Sequence, residues 1–257
     1  MKTYPIPLLL YHEIGTSAGA TPPSTFRAHM AYLHRQGIVA LSLTDFEEAL
    51  SDRHLPAMPS VLITFDDGSR TCLTEALPIL EEFDFRATAF LITDRMCGGD
   101  SGLGAYGNAL TWDEVRALQA SGRFAIQSHS HTHSRWPFDE TGQVLVKDEL
   151  RKSREKLAVE LHSSIDQFEH VAWPWGRCNQ AFETIAEDVG FKYQYLVQRG
   201  AVVHSNSKIR LPRLCCDGMS AASFSRWIDT LTTPSGAQIV NHAFGAVRRL
   251  RHGMAYQ

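Results

Sequence analysis

Val61-Leu62-Ile63-Thr64-Phe65-Asp66-Asp67-Gly68 is an apolar, β-branched run that ends in two carboxylates and a glycine. A run of this length without polar alternation reads as a strand buried on both faces, the kind found in parallel sheets. Two adjacent carboxylates at the end of such a strand are costly, because burying an unpaired charge is strongly unfavourable. Neighbouring carboxylates also raise each other's pKa unless a cation lies between them. A bound metal ion would relieve both problems.

A second stretch of the same design supplies further donors. Phe124-Ala125-Ile126-Gln127-Ser128-His129-Ser130-His131-Thr132-His133 runs from an apolar strand into a polar turn. His129 and His133 are four residues apart, so a helical turn after the strand would put both imidazoles on one face. With one of the two aspartates they form a two-histidine, one-carboxylate set with open positions, a pattern used by catalytic zinc and other divalent metals. One aspartate would bind the metal and its neighbour would handle protons. An Asp pair capped by backbone N–H groups, beside a surface histidine cluster, is the alternative when either feature stands alone. Their joint occurrence at the ends of two apolar strands favours the metal.

Outside these stretches, apolar runs alternate with amphipathic ones. Strands are expected at Ile6–Tyr11, Val39–Ser42, Val61–Phe65, Ala87–Ile92, Phe124–Ser128, Val171–Trp173 and Tyr193–Val197. Helices are expected over Ser24–Gln36, Leu43–Ser51, Thr71–Phe83, Thr111–Ser121, Gly142–Leu161, Asn179–Val189 and Ala222–Leu231. Thr111 and Glu114 have the spacing of a capping box, and Gly122 and Gly190 sit where helices end. Strand–helix alternation implies a parallel sheet, here α/β: a distorted, incomplete (β/α) barrel of about seven parallel strands, with a doubly wound open sheet as the other arrangement. Polar clusters at four strand ends, Tyr11-His12, Asp66-Asp67, His129 to His133 and Pro174-Trp175-Gly176, would then share the C-terminal face of the barrel, where such folds carry their sites. The glycine-rich stretch 98–107 reads as a loop, with a lid over the substrate as its functional alternative.

The 257 residues are 44% hydrophobic and 21% charged, which suits one globular domain over 1–257, with residues 215–257 a C-terminal helical segment. A net charge of −3 and the lack of a basic stripe exclude nucleic acid as the expected partner. Five cysteines, among them the adjacent pair Cys215-Cys216, form no disulfide framework or zinc knuckle. No stretch is apolar enough to span a membrane, and Met1 to Tyr11 does not resemble a signal peptide. The expectation is therefore cytoplasmic, or periplasmic or secreted if the start is truncated.

The pair TFDDG and H-S-x-x-H resembles the NodB-homology polysaccharide deacetylases, the family 4 carbohydrate esterases. The likeness runs from about Pro7 to Leu214. It includes Leu9-Leu10-Tyr11-His12, Ala87-Thr88-Ala89-Phe90-Leu91, Leu110-Thr111-Trp112 and Leu211-Pro212-Arg213-Leu214. The resemblance implies that Asp66 is the catalytic base and that Asp67, His129 and His133 hold a divalent metal, zinc first, with cobalt or nickel as alternatives. His131, between the ligands, would not be one of them. The family's third motif, R-x-P-[FY]-G, stands here as Ala172-Trp173-Pro174-Trp175-Gly176. Trp175 can keep the role of a backbone oxyanion donor, but the arginine that orients the base is missing. Arg213 is the candidate replacement. Leu10-Tyr11-His12 resembles the late L-x-H motif moved to the front, as in the circularly permuted subgroup that includes exopolysaccharide N-deacetylases. It makes His12 the candidate general acid in preference to His242. The motif-four pattern D-x-x-D-W is absent, and Asp217 is its candidate remnant.

These expectations amount to a metal-dependent hydrolase that removes N-acetyl groups from an amino-sugar polysaccharide, oligosaccharide or precursor. Trp136, Trp175 and Tyr106 are aromatics that could stack on sugar rings, with core packing the ordinary reading for any one of them. Two other functions remain open on sequence: hydrolysis of another amide, such as a cyclic ureide or sugar formamide, and carbohydrate binding by a degenerate site.

Overall fold

The structure, a computed structural model, describes residues 3–51, 55–96, 108–203 and 208–253, with side chains described to residue 244. The glycine-rich loop, with Tyr106 and Cys97, lies outside the described residues.

Seven parallel strands close into a barrel. They are β1 (Ile6–Tyr11), β3 (Ser60–Phe65), β4 (Ala87–Leu91), β5 (Phe124–Ser128), β6 (His170–Ala172), β7 (Tyr193–Val197) and β9 (Leu211–Cys215). Their order is β3-β4-β5-β6-β7-β9-β1, and β1 also pairs with β3, which completes the ring. Two short strands lie outside it: β2 (Val39–Ala40), parallel to β3, and β8 (Ala201–Val202), antiparallel to β1. The doubly wound alternative is thereby excluded. Membership differs from expectation in one respect. The stretch at Val39 is not a barrel strand, and the seventh place is taken by β9, whose Pro212 lowers its strand signal.

The period of two along each strand sorts side chains between the barrel interior and the shell of helices. Leu62 of β3 belongs to the interior cluster with Ile6, Leu8, Phe90, Tyr195 and Leu211, whereas Ile63 and Phe65 pack outward with Leu9, Tyr11 and Leu214. Continuing the alternation puts Thr64 and Asp66 on the interior side.

The helices are α1 (Pro23–Arg35), α2 (Leu43–Ser51), α3 (Leu77–Glu82), α4 (Trp112–Ala120), α5 (Glu140–Glu160), α6 (Gln180–Val189), α7 (Ala221–Leu231) and α8 (Pro234–Gly253). The capping box at α4 forms in full: the Glu114 N–H donates to Thr111 Oγ1, and the Thr111 N–H donates to Glu114 Oε2 at 2.9 Å. Gly190 ends α6 in the left-handed region, φ 106°. α3 is shorter than expected, because a wide π turn over Cys72–Ala76 precedes it. No described helix is long and apolar enough to cross a membrane.

Candidate active site

At the C-terminal mouth of the barrel lies a cleft of about 460 Å³. Its walls include His12 after β1, Asp66 and Asp67 after β3, His129 and His133 after β5, Trp175 after β6 and Asp217 after β9. All four expected polar clusters are brought to this face. His242 is not: it is an exposed residue of α8, its Nδ1 donating to the Gln238 carbonyl one turn back.

Asp66 is 1% exposed and Arg213 is fully buried. Arg213 Nη1 and Nη2 each donate to one oxygen of Asp66, both at 2.6 Å, in a bidentate pair. The guanidinium stands over the neighbouring rings of Phe90 and Tyr195, and Nε donates to the Leu196 carbonyl. A cation from β9 thus stands against Asp66, while Ala172 takes the motif position where the family carries arginine. Burial alone would push the Asp66 carboxyl up. The charges of Arg213, His129 and His12, with the Arg213 hydrogen bonds, outweigh it and hold Asp66 at about 2.

Asp67 turns out of the strand with φ 69°, and Gly68 follows at φ 76°. The positive φ of Gly68 is what favours glycine there; a Cβ would also come within 2.8 Å of Met96 Cε, the flexible end of a side chain that would have to shift. Asp67 Oδ1 is buried without a hydrogen-bond partner. It lies 3.5 Å from Nε2 of His129 and 3.8 Å from Nε2 of His133. His129 donates its Nδ1–H to the Ala172 carbonyl at 2.8 Å, which turns Nε2 toward Asp67.

An orphaned carboxylate oxygen facing two imidazole nitrogens is a donor set that fits a divalent cation. Burial and the neighbouring His129 lower the His133 pKa to about 4, so its ring is neutral and available as a ligand at ordinary pH. His131 is absent from this cluster; it pairs with Thr93 Oγ1 at 2.9 Å.

The turn that carries these histidines is not helical. Ser130 and His133 have φ of 68° and 62°, and the serines hold the bend: Ser128 Oγ accepts from the Ser130 N–H and Ser130 Oγ from the His133 N–H. Glu149 of α5 pins it from outside, accepting from the Thr132 N–H and hydroxyl, both at 2.8 Å. The two imidazoles meet, but through a left-handed bend rather than a helix face.

In the same cleft, His12 Nδ1–H donates to Asp217 Oδ2 at 2.5 Å, and the His12 N–H donates to Asp217 Oδ1. Burial depresses the His12 pKa, but the Asp217 hydrogen bond and the charges of Asp66, Asp217 and Asp67 reverse this and raise it to about 9. Asp217 is thus the partner of His12. Sequence offered it only as a remnant, because 205 residues separate the two.

Trp175 sits at φ 60° and is 53% exposed. One face lies 4.8 Å from the His133 ring and Arg135 stands 4.3 Å from its centroid. Of the two readings open for Trp136, sugar stacking and core packing, the second holds: it is 7% exposed and packs in the cluster under α6 with Phe182. Arg95 and the segment at Ala18–Ala20 also line the cleft and carry no sequence signal of it.

Residues 56–194, more than half of the chain, match the Polysaccharide deacetylase family. The chain belongs to the polysaccharide deacetylase family. It is accordingly a hydrolase of the deacetylase class, acting on carbon–nitrogen bonds. It is 26% identical over 232 residues to YxkH of Bacillus subtilis, covering 90% of this chain and 78% of that protein. It is 24% identical over 196 residues to the poly-beta-1,6-N-acetyl-D-glucosamine N-deacetylase of Staphylococcus epidermidis, covering 74% and 65%. In fold, this deacetylase is similar to the Streptococcus pyogenes deacetylase PplD, at a TM-score of 0.75 and 24% identity over 91% of this chain and all of that one. IcaB from Ammonifex degensii is similar at a TM-score of 0.75 and 19% identity, covering 88% and 98%.

Proposed function

We propose that this deacetylase is a divalent-metal-dependent enzyme that removes N-acetyl groups from an amino-sugar polymer, oligomer or precursor. What supports this most is the convergence of two sets of residues on one cleft: Asp66, Asp67 and the two histidines, and beside them the His12–Asp217 pair. Asp67, His129 and His133 would hold the cation, zinc in first place. When bound, the cation supplies carbonyl polarisation and a water acidified toward neutrality, which lets a carboxylate held as low as Asp66 act as proton acceptor.

The other roles fall to the chain's own residues. Arg213 fixes the Asp66 carboxylate in one plane, so its cleft-facing Oδ2, 3.7 Å from His129 Nε2, is the oxygen that takes the proton of the attacking water. His12, protonated below about pH 9, holds the proton that the departing amine needs on Nε2, while Asp217 fixes the ring through Nδ1. The Trp175 backbone N–H is the candidate oxyanion donor and its exposed ring a surface for a sugar face. Acetate and a free amino sugar are the products. The homologue's poly-N-acetylglucosamine substrate supports a β-linked N-acetylglucosamine chain as the first to try.

Acetate release from N-acetylglucosamine oligomers with added zinc, cobalt or nickel tests this, with wild type set against Asp66→Asn. Metal-stimulated release by wild type alone is expected. Equal release by both proteins would refute the assignment of Asp66.

A further inference from the structure

We propose a second, inhibitory metal site at the rim of the same cleft, formed by His12, Cys215 and Asp217. Its occupation by zinc or another thiophilic divalent cation switches the enzyme off. The consequence for turnover rests on the reading of His12 as the general acid; the site itself does not.

The site follows from the alternation of β9. Leu211 and Arg213 point into the barrel and Leu214 and Cys216 pack outward, so Cys215 is the next interior-side residue, at the rim. Cys215 is exposed and Cys216 is buried. Asp217 Oδ1 is occupied by the His12 N–H and the Thr21 hydroxyl. Oδ2 is the oxygen turned to both other ligands, 2.5 Å from His12 Nδ1 and 3.5 Å from Cys215 Sγ. The three donor atoms lie within 4.8 Å of one another.

Tetrahedral zinc with ordinary bond lengths needs about 3.5 Å between a thiolate sulfur and a carboxylate oxygen and about 3.3 Å between an imidazole nitrogen and that oxygen. The first separation is already present. The second requires the His12–Asp217 hydrogen bond to open by less than an ångström once its proton is gone. Thiolate, imidazole and carboxylate together form a borderline-soft set that suits zinc, cobalt and cadmium and disfavours magnesium and calcium. The His12 side chain is 40% exposed, which gives a path for entry and a side on which water completes the coordination.

Binding at this site is an exchange of protons for metal. The cation displaces one proton from the Cys215 thiol and one from His12 Nδ1, and both go to solvent. An imidazolium can deliver a proton and return to a neutral ring. With a metal on Nδ1 the ring is already at its neutral proton count and keeps only the Nε2–H. Its capacity to supply the leaving amine is lost, and Asp217 is diverted from the ring to the cation.

The test begins with the enzyme holding one equivalent of zinc, titrated with cobalt(II) and followed by near-ultraviolet absorption and by acetate release. A thiolate-to-cobalt charge-transfer band should grow to saturation at one further equivalent, while the rate falls at least about tenfold, a loss of the size expected when a supporting contact at a site is removed. In Cys215→Ser the band should be missing, and inhibition relative to that variant's own starting rate should need at least about tenfold more metal. No band in wild type, or an undiminished band in Cys215→Ser, overturns the site. A band that depends on Cys215, with turnover unaffected by the second equivalent, leaves the site standing and overturns both the inhibition and the role of His12 as acid.

Discussion

Replacing Asp217 by Asn keeps the shape of the side chain and a carbonyl acceptor for His12 Nδ1–H, but removes the negative charge. In the wild type, Asp217 is a main reason why His12 titrates near 9 rather than at its ordinary 6.5. Without that charge, burial is opposed by Asp66, Asp67 and the remaining hydrogen bond, so the ring should titrate below 9, and a full return to its ordinary 6.5 sets the largest effect. At pH 8 the protonated fraction then drops from about nine-tenths to about 3%, a loss of roughly 30-fold, whereas at pH 6 it drops by less than about twofold. The sign follows from the raised pKa: the proton is present below 6.5 in both proteins and is lost between 6.5 and 9 only in the variant. A pH profile of kcat/KM for acetate release should therefore show the basic limb moved down by up to about two pH units in Asp217→Asn, with the acidic side little changed. An equal loss at pH 6 and pH 8, with the basic limb in its original place, would refute the reasoning and reduce Asp217 to a structural prop.

Arg213→Met should leave Asp66 as an uncompensated buried charge and cost about 3–5 kcal/mol, read as a lowered midpoint in urea unfolding. Because the Asp66 pKa is depressed from 3.8 to about 2, the pair's contribution to stability, about 2 kcal/mol, is present above pH 3.8 and lost as pH falls through 2; thermal melts of wild type and Asp66→Asn should converge toward the acid end. Asp67→Asn should abolish stoichiometric zinc in elemental analysis and lower turnover by about 1,000-fold, the several kcal/mol such a cation supplies. Gly68→Ala should destabilise by about 1–3 kcal/mol through its positive φ and the approach to Met96, detectable by calorimetry.

Much of this architecture can be read from local sequence. Asp66, Asp67, His129 and His133 are legible because each pair follows an apolar strand directly, so that strand, strand end and side-chain chemistry fall within ten residues. What resists reading is whatever is decided across the barrel. Asp217 follows no motif, and its relation to His12 exists only because β1 and β9 are neighbours. β9 carries Pro212, a poor strand residue, and is held in place by pairing on both sides with β7 and β1. Trp136 illustrates the reverse case: aromatic character in a polar stretch leaves a sugar platform open beside core packing, and only the packing of Phe182 shows it to be core. The bend at His129–His133 has helical spacing but left-handed residues, a difference set by the serine hydroxyls that fasten its backbone.

The pairing of β1 with β9 has a consequence for the order in which the molecule can be made. On the function proposed above, the metal ligands and the base draw on residues 66 to 133, whereas the acid pair joins residue 12 to residue 217, and Arg213 reaches Asp66 from the same late strand. On a chain emerging from a ribosome, the metal ligands exist well before the groups that tune the base and arm the acid. The step that turns it into an enzyme is the arrival of a single strand, β9, which seals the ring and delivers Arg213 and Asp217 together.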